Sequence, residues 1–288
     1  MKFSFIKDHR DRFDIGVMCS VFGVGPAGFH AWLKRPESAR DTRARELSGA
    51  IRLIHHEASG VYGSLKVTKE LGHRKQIVNR KTVAKLMARM RLCSKVRRRF
   101  RVRTTDSNHA NLVAPNILDR KFAAATGPDQ VWATDITYIH TDEGILYLAG
   151  VIDLYSRRIV GWSMDSTMTT QLALDALSSA LLTRKPSLPL LHHSDRGVQY
   201  TSVRYRSLLE RHGIQASMSR TGDCYDNAVV ESFWGKLKTE LVYHERFKTS
   251  DEARAAIFNY IEGFYNRRRL HAALGYLSPE QFEARKCG

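Results

Sequence analysis

The chain has 288 residues, is 43% hydrophobic and carries a formal net charge of +17, so it can bury a sizeable core and has room for two domains or a few small ones. Its cysteines, Cys19, Cys93, Cys224 and Cys287, form no C-x-x-C pair, which argues against a zinc ribbon or knuckle, and no uncharged apolar run approaches the ~18–20 residues of a bilayer span. Met1 to Phe13 is studded with charges and lacks a signal-peptide apolar stretch, so the expected location is a reducing cytoplasm, close to the nucleoid if the partner is DNA.

Residues 14–33 read as two short helices around Gly23-Val24-Gly25-Pro26, either a helix–turn–helix or a small packing module. The charge is concentrated further on: residues 51–103 hold 16 Lys and Arg against 2 Asp and Glu. Such a local surplus points to a polyanion, nucleic acid first. Within it Leu47, Ile51 and Ile54 mark one helix, Leu65 and Leu71 frame a second, and Asn79 caps a third with Val83, Leu86, Met87 and Met90 on one face. The opposite face of that third helix presents Arg80, Lys81, Lys85 and Arg89, and it is the candidate to enter a major groove. Arg97, Arg98, Arg99, Arg101 and Arg103 follow as a phosphate-binding arm.

After a polar linker the pattern changes to strands at 131–139, 145–152 and 158–164, a meander. A helix over 170–182, with Leu172, Leu174, Leu177, Leu181 and Leu182, a strand over 190–195, a helix near 202–212 and a strand over 214–219 come next. That order predicts an α/β core of ribonuclease-H-like form, a mixed sheet flanked by helices. A glycine-containing loop leads to a helix capped by Asp226 or Asn227, with Val230, Phe233, Leu237 and Leu241 buried and Glu231 and Lys238 on another face. Helices near 251–264 and after the capping box Ser278-Pro279-Glu280-Gln281 close the chain. The expected units are a helical module over 1–45, a basic helix–turn–helix-like region with its arm over 46–103, a linker over 104–128, the ribonuclease-H-like core over 129–242 and a helical extension over 243–288.

Three acids stand out by setting. Asp135 lies inside an apolar strand, where an unpaired charge is costly; Asp195 ends another strand; Glu231 follows Asp195 after 35 intervening residues, on a helix. Two strand carboxylates and one helix carboxylate suit a hard oxygen-liganded cation, and a pair of such ions ~4 Å apart serves phosphoryl transfer. Lys238, seven residues after Glu231, returns to the same helix face about 10.5 Å along the axis and faces a phosphate there.

At these residues the sequence resembles the second-reading-frame product of a large bacterial insertion-sequence transposase family with a retroviral-integrase-like Asp-Asp-Glu core. The resemblance rests on Trp132-Ala133-Thr134-Asp135-Ile136-Thr137-Tyr138, on His193-Ser194-Asp195-Arg196-Gly197-Val198-Gln199-Tyr200, on Tyr225-Asp226-Asn227-Ala228 with Glu231 and Lys238, and on Tyr265-Asn266-Arg267-Arg268-Arg269-Leu270-His271. It implies that Asp135, Asp195 and Glu231 hold Mg²⁺ or Mn²⁺, as two ions, and that Lys238 contacts transposon-end DNA. Tyr225, Asn227, His193, Arg269 and His271 are expected in supporting roles; Tyr265, Arg269 and His271 either touch DNA or tie the last helices to the core. It further implies terminal inverted repeats and target DNA as partners, a homo-oligomeric transposition complex, and association or frameshift fusion with an upstream-frame product. Two other readings stay open: a tyrosine recombinase, from His193-x-x-Arg196 and Tyr225, and a DNA-binding regulator with an inactive core.

Overall fold

The computed structural model describes residues 1–95, 113–119, 125–220 and 227–286. The Arg97–Arg103 arm, most of the linker, Tyr225 and Asp226 lie outside the described residues. Three N-terminal helices, α1 (Lys2–His9), α2 (Ile15–Phe22) and α3 (Pro26–Lys34), enclose a small core of Ile6, Met18, Cys19 and Phe29. Asp14 caps α2 through Val17 N, and left-handed Gly23 ends it, as the turn between the two helices requires. α1 had no counterpart in the sequence reading, because its single buried residue, Ile6, leaves no periodic stripe.

The basic region folds as α4 (Ala39–Glu57), α5 (Ser64–His73) and α6 (Arg80–Arg89). α4 runs across the expected boundary at 45/46, because Ser38 caps it through Asp41 N, well before the apolar stripe begins. Val67 and Leu71 are the buried residues of α5, whereas Leu65 is exposed. α6 begins as expected, with Asn79 Oδ1 accepting from Lys81 N, and buries Val83, Leu86 and Met87.

The core is a five-stranded sheet in the order β3-β2-β1-β4-β5, formed by β1 (Val131–Thr141), β2 (Gly144–Asp153), β3 (Ile159–Asp165), β4 (Leu191–Ser194) and β5 (Gln215–Met218). β1, β2 and β3 pair antiparallel, and β4 and β5 join β1 in parallel, the expected mixed sheet. Strand alternation divides the interior between two faces. Trp132, Ala149 and Val151 face α7 (Thr170–Arg184), α8 (Val198–Thr201) and α9 (Val203–Arg211). Val131, Ala133, Leu146 and Leu148 face α10 (Ala228–Glu240), α11 (Ser250–Phe258) and the segment after it, and the same cluster extends into α4, α5 and α6. Gly161 lets α7 lie directly on β3, since a Cβ there would come 2.4 Å from Ala176 O. Of the leucines that mark α7, Leu182 is 76% exposed, while Leu172, Leu174, Leu177 and Leu181 are buried. The middle of the linker lies along β5, the edge strand: Met218 N donates to Pro115 O, and Ile117 and Leu118 donate their N–H groups to Ser217 Oγ.

α11 passes into a π-helical stretch, Asn259–Tyr265, followed by a one-turn 3₁₀ segment, Ala272–Leu274, and α12 (Pro279–Lys286). The capping box forms as expected: Gln281 N donates to Ser278 Oγ and Ser278 N to Gln281 Oε1. Among the described residues no single helix is long and apolar enough to cross a membrane.

Candidate active site

The parallel register of β1 and β4 brings two of the predicted acids together. Val131 is level with Leu191 and Ala133 with His193, an offset of 60 residues. Continued two steps past the last paired residues, it puts Asp135 level with Asp195, on one side of the sheet. β4 ends at Ser194, so both carboxylates stand where the β1–β4 pairing stops, at the carboxyl end of parallel strands, where open α/β sheets bind ligands.

Asp135 Oδ1 accepts from Ile136 N at 2.8 Å and Oδ2 from Trp234 Nε1 at 3.1 Å. Desolvation and the neighbouring Asp195 charge, with a smaller effect from Glu231, push its pKa up to about 8. Asp195 Oδ1 accepts from Gly197 N. Glu231 lies in the first turn of α10 at the exposed rim, its pKa raised by partial desolvation. The charges of Asp195 and Glu231 both bear on Asp135, so the three predicted acids lie around one place. Among the described residues no three His, Cys, Asp or Glu side chains form a group close enough to hold a metal ion.

The donor set nevertheless fits a hard cation. Asp135 and Asp195 offer only oxygen, and no Lys or Arg forms an ion pair with Asp135 or Glu231 among the described residues. Asn227 supplies a further polar atom. Its Nδ2 donates to Thr134 O at 3.1 Å, while its buried Oδ1 has no hydrogen-bond partner. Asn227 therefore does not cap α10 with its side chain; it ties that helix to β1 one residue from Asp135.

Trp234 was missed by the sequence reading. Its indole crosses the sheet above Gly150, the antiparallel partner of Asp135. A Cβ on Gly150 would come 2.8 Å from the ring, so glycine opens the slot through which Nε1 reaches the carboxylate. The available signals were Trp234 three residues after Glu231 and a glycine within an apolar strand. Lys238 Nζ lies 4.7 Å from the centre of the Tyr138 ring, and desolvation lowers its pKa despite the opposing pull of Asp135.

The remaining candidates separate by burial. His193 is fully buried between β4 and β5, with Nδ1 on Ser217 Oγ at 2.9 Å and Nε2 on Ser219 Oγ at 3.1 Å, so it holds the strand that presents Asp195. Arg269 and His271 are 5% and 6% exposed. Arg269 Nε donates to Glu240 Oε2 at 2.7 Å and a second guanidinium nitrogen to Oε1, while Tyr260 also donates to Glu240. Tyr265 packs edge-on against His271. Asn266 Oδ1 accepts from Ile159 N and its Nδ2 donates to Ile159 O, pairing with β3 as a strand would. This segment ties the last helices to the core. Arg80, Lys81, Lys85 and Arg89 are all exposed on the outer face of α6 and make no ion pair among the described residues.

Comparison with known proteins accords with this architecture. Models described as integrase core domain match residues 125–224 and 212–279, and a model described as HTH-like domain matches residues 42–100. The transposase InsF of insertion sequence IS3A from Escherichia coli (strain K12) is 44% identical over 285 residues, 98% of each chain. The chain belongs to this family of insertion-sequence transposases. Another member, an uncharacterized 31 kDa protein of insertion element IS600 from Shigella sonnei, is 46% identical over 92% of this chain and 97% of its own. Similar solved structures include the catalytic core domain of HTLV-2 integrase in complex with magnesium, 17% identical, covering 55% of this chain and 98% of that one with a TM-score of 0.42. The simian T-cell lymphotropic virus intasome is 14% identical, covering 75% and 70%, with a TM-score of 0.47. The family member described here is thus a DNA transposase, an enzyme with an integrase core and a helix–turn–helix-like DNA-binding region.

Proposed function

We propose that this transposase cuts DNA at the ends of its insertion sequence and joins them to new DNA by direct, metal-dependent phosphoryl transfer at Asp135, Asp195 and Glu231. The observation that carries the reading is that the charge of Asp195, just past the end of β4, bears on the buried carboxylate of Asp135 two residues beyond the last β1–β4 pair. Asp135 and Asp195 would hold Mg²⁺ or Mn²⁺, with Glu231 closing from α10, and two such ions supply activation of the attacking oxygen and stabilisation of the leaving one. Trp234 and Ile136 N orient Asp135, while Gly197 N orients Asp195. Lys238 holds a phosphate of the transposon end along α10. The exposed cations of α6 and the Arg97–Arg103 arm bind terminal-repeat DNA, the complex is a homo-oligomer, and the upstream-frame product or a frameshift fusion with it completes the assembly.

Incubating the full chain with labelled terminal-repeat DNA and Mg²⁺ or Mn²⁺, then denaturing, tests the mechanism. Nicks at the repeat ends and joined products are expected, with all label free of protein and no reaction in EDTA. Label retained on denatured protein, or full activity in EDTA, would instead support a tyrosine nucleophile.

Trp234→Phe removes the Nε1 donor and leaves a ring over Gly150. Loss of a group that orients a metal ligand costs about 10–100-fold in metal affinity or activity. A Mg²⁺ titration of cleavage should show a loss of that size, and an unchanged profile would leave Trp234 with packing alone.

A further inference from the structure

Beside the carboxylates, α10 borders a second cluster, of opposite sign. Around the buried His271 it gathers Lys66 on α5, Lys236 on α10, Arg157 in the turn between β2 and β3, and the buried Arg269. The carboxylate at its centre, Glu240, is saturated by both arms of Arg269 and by the Tyr260 hydroxyl. Neighbouring acids are engaged too. Glu70 pairs with Arg74 at 3.0 Å, and Asp153 accepts from Ser156 N, Ser156 Oγ and Asp129 N.

Lys66, Lys236 and Arg157 are therefore left half-buried without an ion pair among the described residues. Lys66 Nζ lies 5.2 Å from the centre of the Tyr62 ring, and Lys236 Nζ donates to Ser232 Oγ at 2.6 Å. Tyr62 fixes this seam between the basic region and the core. Its hydroxyl donates to Arg268 O and accepts from Leu270 N, both at 2.9 Å. Desolvation, then the charge of Arg269, push both lysines down to about 8. Arg157 holds a backbone φ of 63°, a turn position that favours glycine. Half-burying three cations whose nearby carboxylates, Glu240 and Asp153, are bonded to other groups is costly, and an incoming anion relieves that cost.

We propose that Lys66, Lys236 and Arg157 form a phosphate-binding seam that grips the backbone of duplex DNA where it passes from the basic helices to the catalytic core. This rests on the proposed DNA cutting and joining at α10. The ligand is a phosphodiester, and the contact is independent of base sequence, since lysine and arginine in this setting meet phosphate oxygens rather than base edges.

The test measures binding of the full chain to a terminal-repeat duplex across a salt series, with thermal melting of each variant and Mg²⁺-dependent cleavage by the parent chain. Lys66→Gln and Lys236→Gln should each reduce the slope of log affinity against log salt by about 0.9, with melting unchanged or raised. Lys66→Arg and Lys236→Arg keep the charge and should retain the slope. Arg157→Gly suits the left-handed backbone and should lower the slope like the lysine variants; its slope decides the matter if a glutamine variant does not fold. Unchanged slopes in folded variants, with the parent still cutting DNA, would overturn the seam and leave the catalytic reading standing. A parent chain that neither binds nor cuts the duplex would overturn both.

Discussion

Asp135→Asn, Asp195→Asn and Glu231→Gln should each lower strand cleavage and joining by roughly a thousandfold or more while terminal-repeat binding stays close to that of the parent. The magnitude follows from the loss of about 4 kcal/mol of charge stabilisation in a phosphoryl-transfer site, at 1.36 kcal/mol per tenfold. Binding survives because the DNA contacts are assigned to cations elsewhere, on α6, at Lys238 and along the seam. The metal-free Asp135→Asn protein should melt no lower than the parent, since burial and the charge of Asp195 both disfavour the ionised Asp135 carboxylate, which itself makes no ion pair among the described residues. Gel assays of cleavage and joining, paired with binding measurements, check each residue separately. A variant that keeps near-parental metal-dependent cleavage removes its residue from the catalytic set.

The second large effect concerns stability. Arg269→Met leaves Glu240, 8% exposed, as an uncompensated buried carboxylate beneath α10 and the π-helical segment. Breaking a buried pair from one side costs about 3–5 kcal/mol, whereas replacing both partners by apolar groups is often near neutral. Arg269→Met should therefore lower Tm by about 10 °C at pH 7, at about 2–4 °C per kcal/mol for a chain of this size, and adding Glu240→Met should recover most of that. Burial alone would raise the Glu240 pKa, but the hydrogen bonds and charge of Arg269, aided by Tyr260, hold it below the ordinary carboxylate range. With the folded value depressed, the pair's contribution is fully present above the unfolded carboxylate pKa and is lost as pH falls through the folded one. The parent's advantage over Arg269→Met should shrink only in acid. Equal Tm values at pH 7 would show the pair to be energetically idle.

Much of this protein was readable from its residues because local signals agreed with the fold. The caps at Asn79 and at Ser278 with Gln281 form as expected, and the helix stripes of α4 and α6 are the buried ones. Apolar runs became β1 to β5 in the expected order, since strand alternation and helical periodicity are set by chain geometry alone. The choice of Asp135, Asp195 and Glu231 as candidates also came from sequence, through acids in settings where a bare charge is costly and through the order of the family motifs.

What the sequence left open depended on separations far along the chain. That Asp135 and Asp195 come to one end of the β1–β4 pairing is a matter of parallel register at an offset of 60 residues, fixed only when the two strands pair. Trp234 reaches Asp135 only because Gly150, on a third element, leaves its place empty. The Tyr265–His271 segment read equally well as DNA-contacting or structural, and only the packed chain shows that Tyr265, Arg269 and His271 are enclosed and that Asn266 is bound to β3. The seam of Lys66, Lys236 and Arg157 has no sequence signature, because its charges come from α5, α10 and a strand turn. Periodicity and caps are properties of one segment, whereas charge compensation and register are properties of segments brought together, and only the packed chain reveals them.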